Sequence, residues 1–473
     1  MAIIQNPKTI DLSDIQGMVT RGYSKLFETA YIILKVEDAV KAKEWIKAIL
    51  PSVGSADHTV KYTNTLHLAF GSKGLTALGL NDKNLATFPI PFREGISTPH
   101  RNRVLGDHGI NKPDQWRWGN ENEAEIVLIF HAENKEGMDT FLNAEKARIK
   151  TNGGLSIVHE MRGYLPKDNK EPFGFHDGIS QPVIEGSGKS GPEHDIIATG
   201  EFLLGYKNEF GLYPDSPLLK EDQGQISLLT NDVNGSGLKD LGRNGTFMVF
   251  RQMEQHVDKF WKAMEQHTLN QDGTINETAK IRLAAKCVGR WPSGAALVNY
   301  PNEDPGGSHE NNDFGYADED PDGLKCPFGS HLRKNNPRDA FRFYDKNKSL
   351  KATKRHRIIR RGRTYQNSET NNDKGEIGLQ FICFNANLEM QFEFIQHAWA
   401  NNNQSGKLSN DTDVIIGVQP EENPSNESGK FTIQNEPVNE IYCGWEQFVT
   451  IKGGAYLFFP SITFIKFLTT LNK

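Results

Sequence analysis

The stretch AYIILKV at residues 30–36 is a short apolar run that leads directly into a charged segment with helical periodicity. The run predicts a buried β-strand, because a few consecutive apolar residues bounded by polar ones are typical of strands. The following segment, from Glu37 to about Leu50, predicts an amphipathic helix, and Pro51 ends it because proline cannot continue a helix. This strand–helix unit is the first building block of the fold.

The same unit recurs three more times along the chain. Its strands are predicted at EIVLIFH (125–131), TFMVFR (246–251) and LQFICFNA (379–386), and a stretch with apolar residues at helical spacing follows each of them. Further strands, which would pair with these, are predicted at LHLAF (66–70), LSIVHEM (155–161) and FVTIKGGAYLFF (448–459).

Two strand–helix units with their partner strands make one ferredoxin-like sheet with helices on one face. Four units therefore predict an α+β protein of two ferredoxin-like halves. We expect an N-terminal half over residues 1–163, a connecting loop region over 164–244 and a C-terminal half over 245–473. Loops as long as the connecting region usually serve a function in a compact protein, whereas the Asn-rich segment 400–440 is interpreted as a surface excursion.

The composition is that of an ordinary globular protein. Of 473 residues, 37% are hydrophobic and 24% are charged, and the net charge of −6 gives no general attraction to nucleic acid or anionic lipid. The four cysteines form no C-x-x-C motif, which argues against a zinc ribbon and against a covalently attached haem. No secretory signal and no membrane-spanning apolar run is visible, so we expect a cytoplasmic protein without a membrane partner.

Two stretches imitate known ligand sites but lack residues that those sites require. GSGKS (186–190) resembles the end of a phosphate-binding loop, but Val183 stands where that loop needs its first glycine. The run DEDPDG (318–323) imitates a calcium loop, yet it contains a proline, and Gly329 stands where the bidentate glutamate belongs. Neither stretch predicts a nucleotide or calcium site.

The segment from His331 to Arg363 is strongly basic within an acidic protein. Thirteen of its 33 residues are Lys or Arg, and only Asp339 and Asp345 are acidic. Three interpretations are open from the residues alone: a solvated basic face, a nucleic-acid surface, or a pocket for a polyanionic cofactor whose carboxylates need Arg donors.

Three motifs carry a family resemblance. GFHDGISQP (174–182) matches the GxxDG motif of the dye-decolourising peroxidases, which are haem enzymes. DPDGLKCPFGSHLRKNNPRD (320–339) resembles that family's proximal-histidine segment, and HRIIRRGRTY (356–365) resembles its distal-arginine segment. GEFLLGYKNEFG (200–211) and VGRWPSGAALV (288–298) extend the resemblance over nearly the whole chain, in the right order. The length and the absence of a visible signal resemble the larger intracellular bacterial members.

The resemblance implies a fold of the dimeric α+β barrel type, with haem b held non-covalently in the C-terminal half. His331 is then the axial ligand of the haem iron, because a neutral imidazole is the usual protein donor. Arg333, close to it in the same segment, would meet the haem carboxylates. His176, next to the aspartate of the GxxDG motif, would be a further cofactor contact.

The resemblance also assigns the catalytic residues. Asp177 would take a proton from the near oxygen of H₂O₂ and deliver one to the departing oxygen. Arg360, the first arginine of RRG, would stabilise the charge that develops as the O–O bond breaks, and Arg361 is the neighbour with which a misalignment would confuse it. Leu379 and Phe381 match the alternate strand positions that wall the distal pocket.

A carboxylate that accepts the N–H of His331 would make the iron more electron-rich. Glu389 and Asn387 are the nearby candidates. We expect Glu389 to be this acceptor, because Asn387 also fits the N-cap of the helix that follows.

The resemblance implies a haem-dependent peroxidase that reduces H₂O₂ and oxidises bulky aromatic donors, such as dyes and phenolics, in one-electron steps. The alternative is a non-catalytic haem-binding or haem iron-releasing protein of the same superfamily. We expect no nucleic-acid partner, and self-association into a homo-oligomer stays open. Because the walled pocket suits peroxide better than a dye, we expect the electrons of large donors to pass through an oxidisable Tyr or Trp near the surface.

Overall fold

A computed structural model describes residues 3–4, 6, 9–120, 124–341, 345–367, 375–419 and 429–472. Within these ranges nine strands form one large antiparallel sheet. The strands are β1 (Glu28–Val36), β2 (Asn64–Phe70), β3 (Ile126–Ala132), β4 (Leu155–Tyr164), β5 (Thr246–Gln255), β6 (Ile359–Arg360), β7 (Arg363–Asn367), β8 (Glu376–Asn385) and β9 (Val449–Phe459).

The sheet closes on itself into a barrel. Its strand order is β5-β9-β2-β3-β1-β4-β7-β8-β6, and β8 also pairs with β5, so the first strand of the series meets the last long one. The N-terminal strands run β2-β3-β1-β4 and the C-terminal strands run β7-β8-β5-β9, which is one order repeated. The prediction of an α+β fold with two ferredoxin-like halves is confirmed, while the domain bounds themselves stay a prediction.

The two halves touch through few backbone pairs. Phe458 on β9 pairs with Phe70 on β2, and Thr364 on β7 pairs with Tyr164 on β4. The two halves are held together mainly by side-chain packing. Successive residues of a strand point to opposite faces, so every second side chain of each half points into the barrel interior. Tyr31 on β1 thus packs against Phe250 on β5 in the barrel interior, with ring centroids 5.0 Å apart and the ring planes tilted by 36°.

Helices cover the outer face of the sheet. Ala39–Ile49 starts where the Asp38 side chain accepts hydrogen bonds from the backbone N–H groups of Val40 and Lys41, and it packs Trp45, Ile46 and Ile49 onto β1. The other α-helices of the described residues are Ser72–Ala77, Asp82–Leu85, Ile90–Glu94, Pro99–Leu105, Lys135–Asn152, Val257–His267, Glu277–Val288, His331–Asn335, Lys346–Lys354 and Ile462–Leu468. Every helix in the described ranges is too short or too polar to traverse a lipid bilayer.

The last predicted helix differs from a regular α-helix. The stretch after β8 forms two π-helical segments, Glu389–Glu393 and Ile395–Ala400, in which the N–H of Glu393 donates to the carbonyl of Leu388 five residues earlier. Such wide turns often mark functional sites. Here they hold Phe392 and Ile395 in the wall of a cavity.

Short strand pairs occur in the loops outside the barrel. They are Ile3–Ile4 with Gly191–Pro192, Val183–Ile184 with Ile196–Ile197, Leu218–Leu219 with Lys239–Asp240, and Phe431–Ile433 with Glu440–Tyr442. These pairs fix the long connections over the barrel, so that the GxxDG segment has a defined position.

Candidate active site

A cavity of about 280 Å³ lies against the outer face of the C-terminal half of the sheet. Its walls are mostly apolar: Leu379 and Phe381 come from β8, Met253 from β5, and Phe392 and Ile395 from the π-helical segments. Leu379 and Phe381, which the resemblance assigns to a pocket wall, both line this cavity. Polar side chains converge on this cavity from three separate segments of the chain.

One wall of the cavity presents His331, the first residue of the five-residue helix His331–Asn335. The Ser330 side chain caps this helix by accepting from the N–H of Arg333. The Nδ1 atom of His331 lies 2.8 Å from Oδ2 of Asp413, on the side away from the cavity. Among the described residues, no hydrogen-bond partner meets its other ring nitrogen, Nε2, so that atom is free to bind a ligand.

Asp413 is a completely buried carboxylate that fixes the imidazole. Its Oδ1 accepts from the backbone N–H groups of Ile415 (2.8 Å) and Ile416 (3.1 Å), and its Oδ2 meets His331 and also accepts from the Asn335 side-chain amide. Burial opposes the charge on both partners, but their attraction outweighs it: the pKa of Asp413 is lowered and the pKa of His331 is raised.

The prediction that Glu389 accepts the N–H of His331 was wrong. Its Oε1 lies 3.3 Å from both terminal nitrogens of Arg101, and its side chain is 55% exposed. Asn387 is the helix cap, since its Oδ1 accepts from the N–H of Met390. Asp413 lies in the Asn-rich segment that was interpreted as surface, and the apolar residues VII after it were the one sequence signal of burial.

Asp177 and Arg360 also line the cavity. The nearest approach is 3.8 Å, between Nη2 of Arg360 and Oδ1 of Asp177, and both side chains keep some exposure. The two motifs are joined directly, because Oε1 of Gln181 accepts from the backbone N–H of Arg360 at 3.1 Å. Gly178, which follows the aspartate, has a φ of +82° that other residues rarely adopt.

The neighbouring arginine is used elsewhere. Arg361 donates from Nε to the carbonyl of Met18 (2.8 Å) and from Nη2 to that of Val19 (3.0 Å), so its guanidinium ties the strand to the N-terminal segment. Arg360, one residue earlier, is therefore the arginine whose guanidinium faces the acid.

Arg333 does not reach the cavity, so the expectation that it meets a cofactor was wrong. It is 3% exposed, and its guanidinium donates to the Asp320 carboxylate and to the carbonyls of Cys326 and Asp320, each at 2.8 Å. The rings of Tyr316 and Phe328 each lie 4.4 Å from it. It is an internal structural cation.

A further basic side chain that lines the cavity, besides Arg360 and Arg251, is Arg357, which sequence reasoning missed although it lies in HRIIRRGRTY. Its Nη2 lies 3.1 Å from the Asp195 carboxylate. His356 lines the cavity beside it. His176 also lines the cavity, with Nδ1 3.3 Å from the Ser308 hydroxyl.

A second cavity of about 330 Å³ adjoins the first on the side of the GxxDG segment. The residues that line both are Glu171, His176, Asp177, Arg360, Gly362 and Leu379. The acid and the arginine therefore lie at a passage between an apolar chamber and a more polar one.

Comparison with known proteins gives a consistent result. The family model described as "Dyp-type peroxidase, C-terminal" matches residues 236–413, a range that contains His331, Arg360 and Asp413. A dye-decolorizing peroxidase of Mycetinis scorodonius is 28% identical over 491 residues, which cover 97% of this chain and 87% of that protein. The multifunctional dye peroxidase DyP2 of an Amycolatopsis species is 35% identical over 320 residues, 64% of this chain and 61% of that protein.

The fold agrees with that of solved structures. An ancestral D-type dye decolorizing peroxidase superposes with a TM-score of 0.76 at 27% identity. The match covers 97% of this chain and 98% of that one, so it includes both halves of the barrel and the loops between them.

Proposed function

This chain belongs to the Dyp-type peroxidase family, and from that premise we propose that it is a haem peroxidase which reduces H₂O₂ and oxidises bulky aromatic donors, dyes and phenolics among them, in one-electron steps. The observation that carries the proposal is the set of polar residues that line one cavity. A histidine with a free ring nitrogen lines the same cavity as Asp177 and its neighbour Arg360.

The residues present fit a haem. A b-type haem needs an axial donor, an apolar enclosure for its ring and cations for its two carboxylates. His331 offers Nε2, the walls around Phe381 and Phe392 are apolar, and Arg360 lines the cavity as a cation. Arg357 lines it as well, but its guanidinium is paired with the Asp195 carboxylate. Because the chain contains no C-x-x-C-H motif, we propose non-covalent haem b, which would supply an iron that exchanges electrons with peroxide and with donors.

On the proximal side, His331 would hold the cofactor through Nε2. Its Nδ1–H donates to Asp413, which fixes the tautomer and the ring orientation. The two backbone N–H groups that Asp413 accepts keep the carboxylate in place, so the imidazole is held by a rigid chain of contacts. An ionised partner also makes the imidazole a stronger electron donor.

On the distal side, Asp177 would accept the proton of the near peroxide oxygen and return one to the departing oxygen. Arg360 would stabilise negative charge on the oxygen that leaves, because its guanidinium is a cation beside Asp177. The hydrogen bond from its backbone N–H to Gln181 positions the backbone from which this side chain extends. The second cavity would let small molecules reach Asp177 while the apolar chamber keeps bulk water out.

Bulky donors face a different situation, because the cavity that His331, Asp177 and Arg360 line is walled mostly by apolar side chains. We therefore keep the proposal that their electrons pass through an oxidisable side chain near the surface. The chain has 12 Tyr and 7 Trp, among which no radical site is assigned.

The absorbance spectrum of the purified, haem-loaded protein tests the proposed function. A Soret band that changes on addition of one equivalent of H₂O₂ and recovers when a phenolic donor is added supports a peroxidase. A Soret band without peroxide-dependent donor oxidation favours the haem-binding alternative, and release of iron from haem favours the iron-releasing one. Absence of a Soret band after reconstitution contradicts the proposal.

The variant His331→Ala should lower the haem content and shift the remaining spectrum. A matched control is His194→Ala, because His194 is buried but lines neither cavity. An unchanged spectrum in His331→Ala would contradict the assignment of the axial ligand.

A further inference from the structure

The turn that carries Asp177 is built around one residue, Glu171. The backbone N–H of Glu171 donates to the carbonyl of Phe175 (2.9 Å), and the N–H of Gly174 donates back to the carbonyl of Glu171 (2.8 Å). Asp177 is held at the end of the turn, where its N–H donates to the carbonyl of Asn169 (2.9 Å). Gly174, with a φ of +98°, closes the turn.

The side chain of Glu171 fills the inside of this turn. Its Oε1 accepts from the N–H of Phe175 at 3.0 Å, and its Oε2 accepts from the N–H of Phe173 at 3.0 Å. Oε2 also accepts from Nε2 of Gln255 on β5, at 2.7 Å. Both carboxylate oxygens are thus engaged, and this side chain connects the turn to β5. The turn is also held from outside the sheet, because Nε1 of Trp261 donates to the carbonyl of Phe173 at 3.2 Å.

Glu171 also lies on the wall that matters for the reaction. It lines both cavities, as Asp177 and Arg360 do. Gln255 is 5% exposed, and its own Oε1 has no partner among the described residues. The amide is therefore held by its donation to Glu171, and the contact is the link between β5 and the distal turn.

We propose that Glu171 is a positioning residue of the distal site, whose ionised carboxylate holds the 171–177 turn so that Asp177 faces Arg360. This inference rests on the proposed function, in which Asp177 handles the proton of the peroxide. Hydrogen bonds to an ionised acceptor are roughly twice as strong as those to a neutral one. Loss of the charge therefore loosens the turn even when the side chain keeps its shape.

The charge on Glu171 changes in an accessible pH range. Burial raises the pKa of Glu171 to about 7, an effect that its three hydrogen-bond donors counteract and that the Asp177 carboxylate reinforces. Asp177 and His176 face it from the same turn and Arg360 from β6, while β5 contributes the neutral amide of Gln255. The turn should accordingly be tighter above pH 7 than below it.

The variant Glu171→Gln tests the role, because an amide offers one acceptor oxygen where the carboxylate offers two. We expect the rate of the first reaction with H₂O₂ at pH 8 to fall at least tenfold, with haem content and Soret position retained. In the wild type this rate should decline as the pH drops through about 7, and in the variant that change should be absent.

Hydrogen–deuterium exchange of the turn gives a readout that does not depend on peroxide. Protection of the Phe173 and Phe175 amides should fall at least tenfold in Glu171→Gln at pH 8. The matched control is Glu201→Gln, since burial also raises the pKa of Glu201 to about 7 but Glu201 lines neither cavity. This control should change neither the exchange of the turn nor the peroxide reaction.

An exchange of the side chains at Glu171 and Gln255 distinguishes two roles of Glu171: its hydrogen bonds within the turn and its contact with β5. Glu171→Gln combined with Gln255→Glu restores a carboxylate–amide contact but leaves an amide facing the turn N–H groups, so the peroxide rate should stay low. Full recovery in the swap, or a wild-type rate and wild-type exchange in Glu171→Gln, overturns the positioning role. If the wild type neither binds haem nor reacts with H₂O₂, the proposed function fails instead, and the exchange experiment still decides the role of Glu171 in the turn.

Discussion

The stability of this protein should depend on pH through a carboxyl group that lines neither cavity, that of Glu201. This residue lies in the short helical turn Thr199–Glu201 of the connecting region and is 7% exposed. Its Oε1 accepts from the backbone N–H of Glu209 at 3.0 Å. Burial nevertheless dominates and raises the pKa of Glu201 from 4.5 to about 7.

The direction and size of the effect follow from this pKa. A carboxyl whose pKa is raised by folding contributes its full stability below pH 4.5, and that contribution is lost as the pH rises through 7. The pKa difference is 7 − 4.5 = 2.5, which at ~1.36 kcal/mol for each pKa unit corresponds to about 3 kcal/mol of unfolding free energy. Glu201→Gln removes the titration and keeps an oxygen that accepts from Glu209.

Urea unfolding of the haem-loaded wild type and Glu201→Gln, followed by tryptophan fluorescence between pH 4.5 and 8.5, measures this effect. The variant should gain about 3 kcal/mol relative to the wild type across that range. Glu446→Gln is the control, because the Glu446 side chain is 62% exposed and its substitution should leave the difference constant. If the difference in unfolding free energy between Glu201→Gln and the wild type is also constant with pH, the reasoning that burial raises the pKa of this carboxyl is refuted.

Three further predictions concern the cavity and its supports. Arg360→Leu should slow the reaction with H₂O₂ by about 10²–10³, measured by stopped-flow absorbance, while haem binding is retained; Arg361→Leu should not, because its guanidinium donates to backbone carbonyls. Asp413→Asn should weaken haem binding by about 10–100-fold in a titration of the apoprotein. Arg333→Ala should lower the unfolding free energy by about 3–5 kcal/mol in denaturant, because it leaves the buried Asp320 carboxylate without its cation.

The parts of the fold that sequence predicted are those encoded by local patterns. The strand predicted at 30–36 is β1 (Glu28–Val36), and the helix predicted to follow it is Ala39–Ile49. An apolar run of this length and a helical stripe after it leave little freedom in the type of element. The strand order within each half could also be inferred from the sequence, because two strand–helix units have few ways to form one sheet.

The proximal acceptor could not be predicted in this way. His331 and Asp413 are 82 positions apart, and nothing local to either shows that they meet. Glu389 lies nearer than Asp413 to the motifs of the family resemblance. Its carboxylate, however, pairs with Arg101 of the N-terminal half. Long-range contacts of this kind depend on how loops fold over the barrel, which residue spacing does not encode.

The misplacement of Arg333 has a different cause, which the sequence did contain. Residues on an α-helix are about 100° apart around its axis, so a side chain two positions along points to roughly the opposite side. His331 and Arg333 lie on one short helix, and the first faces the cavity while the second is buried behind it. Had the segment SHLRKN been interpreted as a helix, Arg333 would have been excluded as a cavity residue.

The position of the cavity in one half of a duplicated fold follows from the outer face of β5. Ala30, Ile32 and Leu34 on the equivalent strand β1 are all apolar and are covered by helices. On β5 the outward series begins apolar with Phe247 and Val249 but continues as Arg251, Met253 and Gln255, and these last three line the cavity.

Buried polar residues on a helix-covered face require partners, and here the N-terminal half supplies one. Arg251 forms an ion pair with Asp107, and both side chains are at most 4% exposed. Burial raises the pKa of Asp107 although Arg251 opposes that change, so the pair gains little from its charge and serves chiefly to join the halves. Leu105, Gly106 and Asn111 line the cavity next to it. The C-terminal half thus contributes His331 and Arg360 to the cavity and the connecting region contributes Asp177, while residues of the N-terminal half complete its lining.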